Sequence, residues 1–269
     1  MRDISDLHTF VICAYNECGY LEELIESLEG QTVRSTVIME TSTPNDFIYD
    51  MGKKHGIPVF VNKNPAGITD DWNFGYSMAK TEYVTIAHQD DRYAPDYARH
   101  MIEAMENAKH PLIYFTDYNE IRGTRIVTEN KLLKIKRFML RALEDRKNAD
   151  NIKCRRRILS FGDPILCPSI TYARSNVPEV LFQNHFMACG DWEALEMLSK
   201  LEGEFIYDKN VLIFHRIHDG SSTSLAFRQN IRFEEDYEMF RKFWSERAAR
   251  ILVRLYSNSR KSNELTEAW

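Results

Sequence analysis

The chain has 269 residues, 43% of them hydrophobic and 28% charged, which suits one large core, or one core with a modest appendage. A formal net charge of −5 excludes a general attraction to nucleic acid, so an anionic partner has to be held by a local site. Five cysteines (Cys13, Cys18, Cys154, Cys167, Cys189) without a CxxC pair fit reduced thiols rather than a disulfide framework. The opening MRDISDLHTFVICAYNE is too short in its apolar run for a signal peptide, and nothing approaches the roughly 20 apolar residues of a membrane span. The expected location is therefore the cytoplasm.

Residues 8–15 (HTFVICAY) read as a short buried strand. Apolar residues at helical spacing follow (Tyr20, Leu21, Leu24, Ile25, Leu28), closed by Gly30. Residues 35–42 (STVIMETS) predict a second strand, 45–55 a helix, 57–62 (IPVFVN) a third strand and 69–80 another helix. A fourth strand, 82–89 (EYVTIAHQ), ends on the carboxylates Asp90 and Asp91; a helix over 95–108 and a strand over 111–117 complete the series. Such alternation predicts a doubly wound, mostly parallel α/β sheet. Ligands bind outside the carboxyl ends of its strands, which gathers Tyr15, Asn16, residues 40–42 and residues 88–91 at one edge.

The second half is organised differently. Residues 120–127 (EIRGTRIV) predict a hairpin turned at Arg122 and Gly123, 163–173 a strand, 190–201 a helix, and 204–216 two strands around residues 208–210. Residues 228–256 form an amphipathic helical stretch. The segment 131–157 carries eleven Lys/Arg against three Asp/Glu. Its first part places Leu132, Leu133, Ile135, Phe138, Met139 and Leu143 among cations, either as a helix lying on anionic lipid or as a solvated cationic face packed by its apolar stripe.

Asp90 and Asp91 are the first site candidates. Adjacent carboxylates repel, and without a cation one is driven toward protonation; a divalent ion relieves this and bridges to phosphate oxygens. The plainer reading is a cap on the helix that follows.

The segment FVICAYNECGYLEELIESLEGQT (10–32) resembles the opening of the family 2 glycosyltransferases of GT-A fold, and GITDDWNFGYSMAKTEYVTIAHQDD (67–91) resembles their middle block. GDWEAL (190–195) is similar to their acidic acceptor-side motif, and FHRIHDGSSTS (214–224) to their Arg-x-His segment. These motifs, in order, run from about residue 8 to residue 224. The resemblance implies a glycosyltransferase domain over 1–224, with a nucleotide-sugar half (1–117) and an acceptor-side half (118–224), and a helical extension over 225–269. It implies an inverting, metal-dependent transfer from a nucleotide sugar to a glycan or glycolipid, with Mn2+ or Mg2+ as cofactor.

Residue by residue, the resemblance puts Tyr15 against the base, Asn16 and Asn73 on the donor, and Glu40 on base or ribose. His88 hydrogen-bonds the ribose or coordinates the metal, Asp90 serves the donor sugar or ribose, Asp91 holds the metal, His218 ligates it or touches the diphosphate, and Arg216 neutralises the diphosphate. Asp191 becomes the carboxylate that takes the acceptor's proton, although an Asp ahead of an apolar helix is also a common cap. His215 is the weaker histidine, expected on the opposite side of its strand. His88 stands where the family usually has its first acid, and Trp72 where it often has Arg; Glu40-Thr41-Ser42 replaces its acidic second-strand motif. A catalytically idle glycan- or nucleotide-binding module is the competing function, favoured by His88 and Trp72. A nucleotidyltransferase is disfavoured by the missing Gly-rich loop, and neither GxGxxG nor GxxxxGK[ST] occurs.

Overall fold

A computed structural model of the protein describes residues 2–218 and 231–265. Its first half alternates as the periodicity requires: β1 (Arg2–Asp3), β2 (His8–Cys13), α1 (Leu21–Glu29), β3 (Val33–Arg34), β4 (Thr36–Thr41), α2 (Asp46–His55), β5 (Val59–Val61), α3 (Ile68–Met78), β6 (Tyr83–His88), β7 (Arg92–Tyr93), α4 (Tyr97–Glu106) and β8 (Pro111–Arg122). There follow β9 (Arg125–Val127), α5 (Lys131–Leu140), α6 (Ile152–Leu159), β10 (Thr171–Ala173), α7 (Gly190–Leu198), β11 (Glu204–Ile217), α8 (Ile231–Arg241) and α9 (Glu246–Leu265).

The main sheet runs β5-β4-β2-β6-β10-β8-β11-β7, with β9 paired to β8. Strands β5, β4, β2 and β6 are parallel. β10 lies antiparallel between β6 and β8, β8 and β11 are parallel, and β7 closes the edge antiparallel to β11. The mostly parallel α/β sheet expected from the alternation is the architecture observed. Side chains alternate along each strand, and the two faces fill two cores. Val11, Ile38, Val84 and Ile86 point into one, with Trp72 and Trp192; Phe10, Ile12, Met39 and Ala87 point into the other, with Leu21, Leu24, Tyr97 and Met101. Helices α8 and α9 add Met239, Phe240, Ala249 and Val253 to the first core, so they share it with the sheet.

Two expected elements differ. Residues 163–173 supply only the short β10, because Pro168 lacks the N–H that a strand needs and residues 167–169 turn as a 3-10 helix. Residues 204–217 form one strand instead of two. β8 offers an unbroken partner, and the polar stretch is accommodated as a bulge: Asp208 pairs with Thr116 and Val211 already with Asp117. Asp208 Oδ1 accepts from the backbone N and the side-chain amide of Asn210 at 2.9 and 2.6 Å.

Much of the basic segment works inside the fold. Arg155 is 1% exposed, and its guanidinium donates to the carbonyls of Gly203 and Leu201. Arg156 pairs with Glu196 at 2.8 Å and Arg137 with Asp117 at 2.7 Å. Leu133 and Leu140 are buried, while Ile135 and Phe138 face solvent. Among the described residues no helix is long and apolar enough to cross a membrane.

Candidate active site

β6 leaves the sheet at His88, and a tight turn, closed by Asp91 N donating to His88 O at 3.2 Å, leads into β7. Because β7 pairs with β11 (Phe214 opposite Arg92), the end of β11 lies along this turn. Asp91 is fully buried; its Oδ1 accepts from His215 Nδ1 and from the Arg216 backbone N, both at 2.9 Å. Burial alone would raise its pKa, but His215, His88 and the Arg216 N–H outweigh burial and hold it below the ordinary carboxylate value. For His215 burial pulls the pKa down, and Asp91 and Asp90 outweigh that pull and hold it up. Each partner thus favours the charged form of the other.

His215 is thus a site residue and not the outward-facing one. Strand alternation would separate it from His218, but β11 ends at Ile217, so His218 lies beyond the pleat and both rings reach the turn. His218 Nε2 bonds Asp90 Oδ2 at 2.8 Å; residues 219–224 of the same motif lie outside the described residues.

Two polar atoms in this turn are buried without a hydrogen-bond partner among the described residues: Asp91 Oδ2 and His88 Nε2. The His88 ring stacks on Trp72 (5.2 Å between centroids, 20° between planes), and Trp72 meets Phe182 edge-on at 5.0 Å. Burial lowers the His88 pKa against the opposing pull of Asp91 and Asp90, so the ring is neutral. Among the described residues no three His, Cys, Asp or Glu side chains converge into a ready-made metal cage.

Arg216 is not the open phosphate-facing cation that the motif implied. It is 6% exposed, with Nη2 on Glu23 at 2.5 Å, Nε on the Asp90 carbonyl at 2.9 Å and the guanidinium 4.1 Å over the Tyr20 ring. Its charge is matched by α1, and it braces the turn from behind.

At the end of β2, Tyr15 is 57% exposed and free to offer a ring face. Asn16 has a left-handed backbone (φ 52°), a conformation that Asn tolerates well, and its N–H donates to Thr43 Oγ1 at 2.6 Å. Gln89, the variable place of the motif, clamps the neighbouring strand end. Its Oε1 accepts from Tyr15 N at 2.9 Å and its Nε2 donates to Tyr15 O at 3.0 Å.

Glu40 and Asn73 depart from the roles the motifs implied. Asn73 is committed to the chain itself. Its Oδ1 accepts from the N–H groups of Leu181 and Phe182, both at 3.1 Å, and its Nδ2 donates to Phe182 O at 2.7 Å. Asn73→Ala is expected to destabilise the fold by about 1–3 kcal/mol, the cost of leaving those groups unpaired, as measured by urea unfolding.

Glu40 is 1% exposed, wedged where α3 crosses the sheet: a Cβ on Gly75 would sit 2.7 Å from Glu40 Cγ and 2.6 Å from Val11 Cγ1. Burial first, then the charge of Asp71, pushes its pKa up to about 9, so it is neutral at pH 7. The half-buried Asp71, bonded to Ser42 Oγ at 2.6 Å and Asn62 Nδ2 at 2.9 Å, is the more accessible carboxylate. Between pH 4.5 and about 9 the folded chain keeps a proton that the unfolded chain has lost, so this residue lowers stability as pH rises. Glu40→Gln is expected to remove that slope, gaining about 2–4 kcal/mol over wild type at pH 8 and little at pH 5; paired urea titrations measure it.

The second acid comes from another element. Helix α7 starts at Gly190, so Asp191 lies in its first turn and not at a cap before residue 192; it is half-buried, and its Oδ1 accepts from Trp192 N at 2.8 Å. Glu235 of α8 anchors the approach to α7, accepting from the N–H groups of Met187, Ala188 and Cys189 at 2.8, 2.8 and 3.0 Å, as a carboxylate at a helix N-terminus should. At Gly190 a Cβ would meet Thr69 Cγ2 of α3 at 2.4 Å, so glycine permits this close approach. Asp163, 8% exposed, is pushed up to about 8 by burial and then by the charge of Asp191. His88 lies within electrostatic range of Asp90, Asp91 and Asp191 alike. His215, Gln89 and Glu235 act through partners far away in sequence, and no local pattern marks them.

Over residues 9–160 the sequence matches the family described as glycosyl transferase family 2. It is 23% identical over 241 residues to an uncharacterised glycosyltransferase of Rickettsia typhi, spanning 88% of this chain and 72% of that one. Among solved structures, residues 1–349 of S. aureus TarS superpose with a TM-score of 0.63 at 13% identity, over 98% of this chain and 75% of that chain; the same fragment is known in complex with UDP-GlcNAc. The mannosyltransferase of Pyrobaculum calidifontis, solved with GDP-Man and Mn2+, superposes at 0.61 with 14% identity, over 87% of this chain and 63% of its own. At these identities the likeness is one of fold, the GT-A arrangement.

Proposed function

The chain belongs to glycosyl transferase family 2, and on that premise we propose that it is an inverting transferase that moves a sugar from a nucleoside diphosphate to a hydroxyl of a glycan or glycolipid, with a divalent cation. The observation that carries this reading is the presence of two acidic centres on separate elements, Asp91 in the turn after β6 and Asp191 on α7, both within electrostatic range of His88. Glycosyl transfer has two electrostatic tasks, neutralising the departing diphosphate and accepting the acceptor's proton, and each needs its own carboxylate.

The residues present fit a cation: Asp91 has a buried oxygen with no partner among the described residues, and Mg2+-like ions take one or two carboxylates and leave the rest of their shell to phosphate and water. Asp91 would hold it, with Asp90 and His218 beside it; when bound, the cation supplies positive charge to the leaving diphosphate. The protein's own residues do the remainder. Tyr15 offers a stacking face to the base, and the accessible Asp71 a hydrogen-bond acceptor near it. Asp191, held by α7, accepts the proton of the attacking hydroxyl. Asp163, protonated at neutral pH, leaves Asp191 as the available base.

Calorimetry with a panel of nucleoside diphosphates, with and without Mn2+ or Mg2+, tests the reading. Binding to at least one base that requires the metal is expected; binding indifferent to metal, or none across the panel, would overturn it.

A further inference from the structure

Resting on the metal-dependent reading above, we infer that His88 supplies a nitrogen ligand, so that the cation is held between His88 Nε2 and Asp91 Oδ2. A buried polar atom without a partner costs about 1–3 kcal/mol and is rare in native structures. Here two such atoms belong to residues three apart, drawn to one turn by the Asp91 N to His88 O bond of 3.2 Å. Both are held in direction. Asp91 Oδ1 is engaged twice, which orients Oδ2, and the imidazole plane is fixed by its stack on Trp72.

The other two histidines at the turn already direct a ring nitrogen elsewhere, His215 Nδ1 to Asp91 Oδ1 and His218 Nε2 to Asp90 Oδ2. His88 is the one whose Nε2 is buried and open to a ligand. A third protein ligand is not required, because diphosphate oxygens and water complete the shell. An imidazole in place of a carboxylate lowers the negative charge of the site and favours first-row transition ions over Mg2+, in the order Mn2+ < Co2+ < Ni2+. On this view Trp72 and His88 form one unit, in which the ring that stands where the family often has an arginine holds the ligand.

The test uses the full chain with Mn2+ and inorganic pyrophosphate, which presents a diphosphate without a base, and reads the ion by electron spin-echo modulation. Wild type is expected to show coupling to a histidine nitrogen, shifted by 15N-histidine labelling. His88→Gln should lose the coupling, and with it about tenfold of the preference for Co2+ over Mg2+; His218→Gln should keep the coupling. Bound Mn2+ without nitrogen coupling, coupling that survives in His88→Gln, or coupling lost in His218→Gln overturns the inference while leaving metal dependence intact. If circular dichroism shows His88→Gln unfolded, the labelled wild type and His218→Gln still decide it. Failure of wild type to bind Mn2+ under any of these conditions is a separate result, which removes the metal-dependent reading itself.

Discussion

Asp191→Asn should lower the rate of sugar transfer by about a thousandfold, the usual weight of a positioned general base, while nucleotide affinity changes by less than about twofold. The substitution keeps shape and keeps an oxygen for the Trp192 N–H. It also leaves untouched the groups that place α7, namely Glu235 under its approach and Trp192, fully buried among Phe240 and Tyr256. Only proton acceptance is removed. In the wild type, burial and then the Asp191 charge push Asp163 up to about 8. With that charge gone the burial remains, so any residual rate should climb with pH as Asp163 ionises. Single-turnover rates across pH 6–9, set beside calorimetric nucleotide affinity, measure both parts; joint loss of binding and turnover would make Asp191 a structural residue.

Asp91→Ala is the substitution with the largest expected cost to the fold, about 3–5 kcal/mol, because it strands a buried charge and a backbone donor together. His215 and the Arg216 N–H both lose their acceptor. The pH dependence follows from the two directions. Asp91 is held below its ordinary value, so its contribution is present above pH 3.8 and fades as pH falls through the lower folded value. His215 is held above its ordinary value, so its contribution is complete below pH 6.5 and fades as pH rises through the higher folded value. Urea midpoints of variant and wild type should therefore lie furthest apart near pH 5 and draw together toward pH 9. Metal-dependent nucleotide binding should be lost at every pH where the variant is folded. A variant as stable as wild type at pH 5 would refute the buried pair.

Much of the sheet was legible because strand burial has a period. Phe10 and Ile12 against Val11, and Met39 against Ile38, divide between two cores as alternation demands. The placement of Asp90 and Asp91 just past a strand end and of Asp191 at a helix start was legible, because such ends are marked by local residue types. What stayed hidden depends on partners far along the chain. Nothing near Glu40 announces that Gly75 will bring a helix over it, or that its carboxyl will be protonated. Asn73 reads as a ligand until residues 181 and 182 fold back onto its amide. Arg216 reads as a free cation until Glu23, 193 residues earlier, meets it. Residues 208–210 read as the turn between two strands because their polar side chains look like one when β8 is out of view; paired to β8 they are a bulge in a single strand.

The contact between Gly190 and Thr69 also bears on how such a protein can be recombined. Gly190, the residue before the proposed acid Asp191, packs against Thr69 of α3 with no room between them for even a methyl group. On the proposed division into a nucleotide-sugar half and an acceptor-side half, the two are therefore not interchangeable modules. A hybrid that joins the first half of this chain to the second half of a relative would inherit a fitted joint from one parent only. Its acceptor-side carboxylate would sit where the mismatch leaves it, unless positions 69 and 190 cross over together.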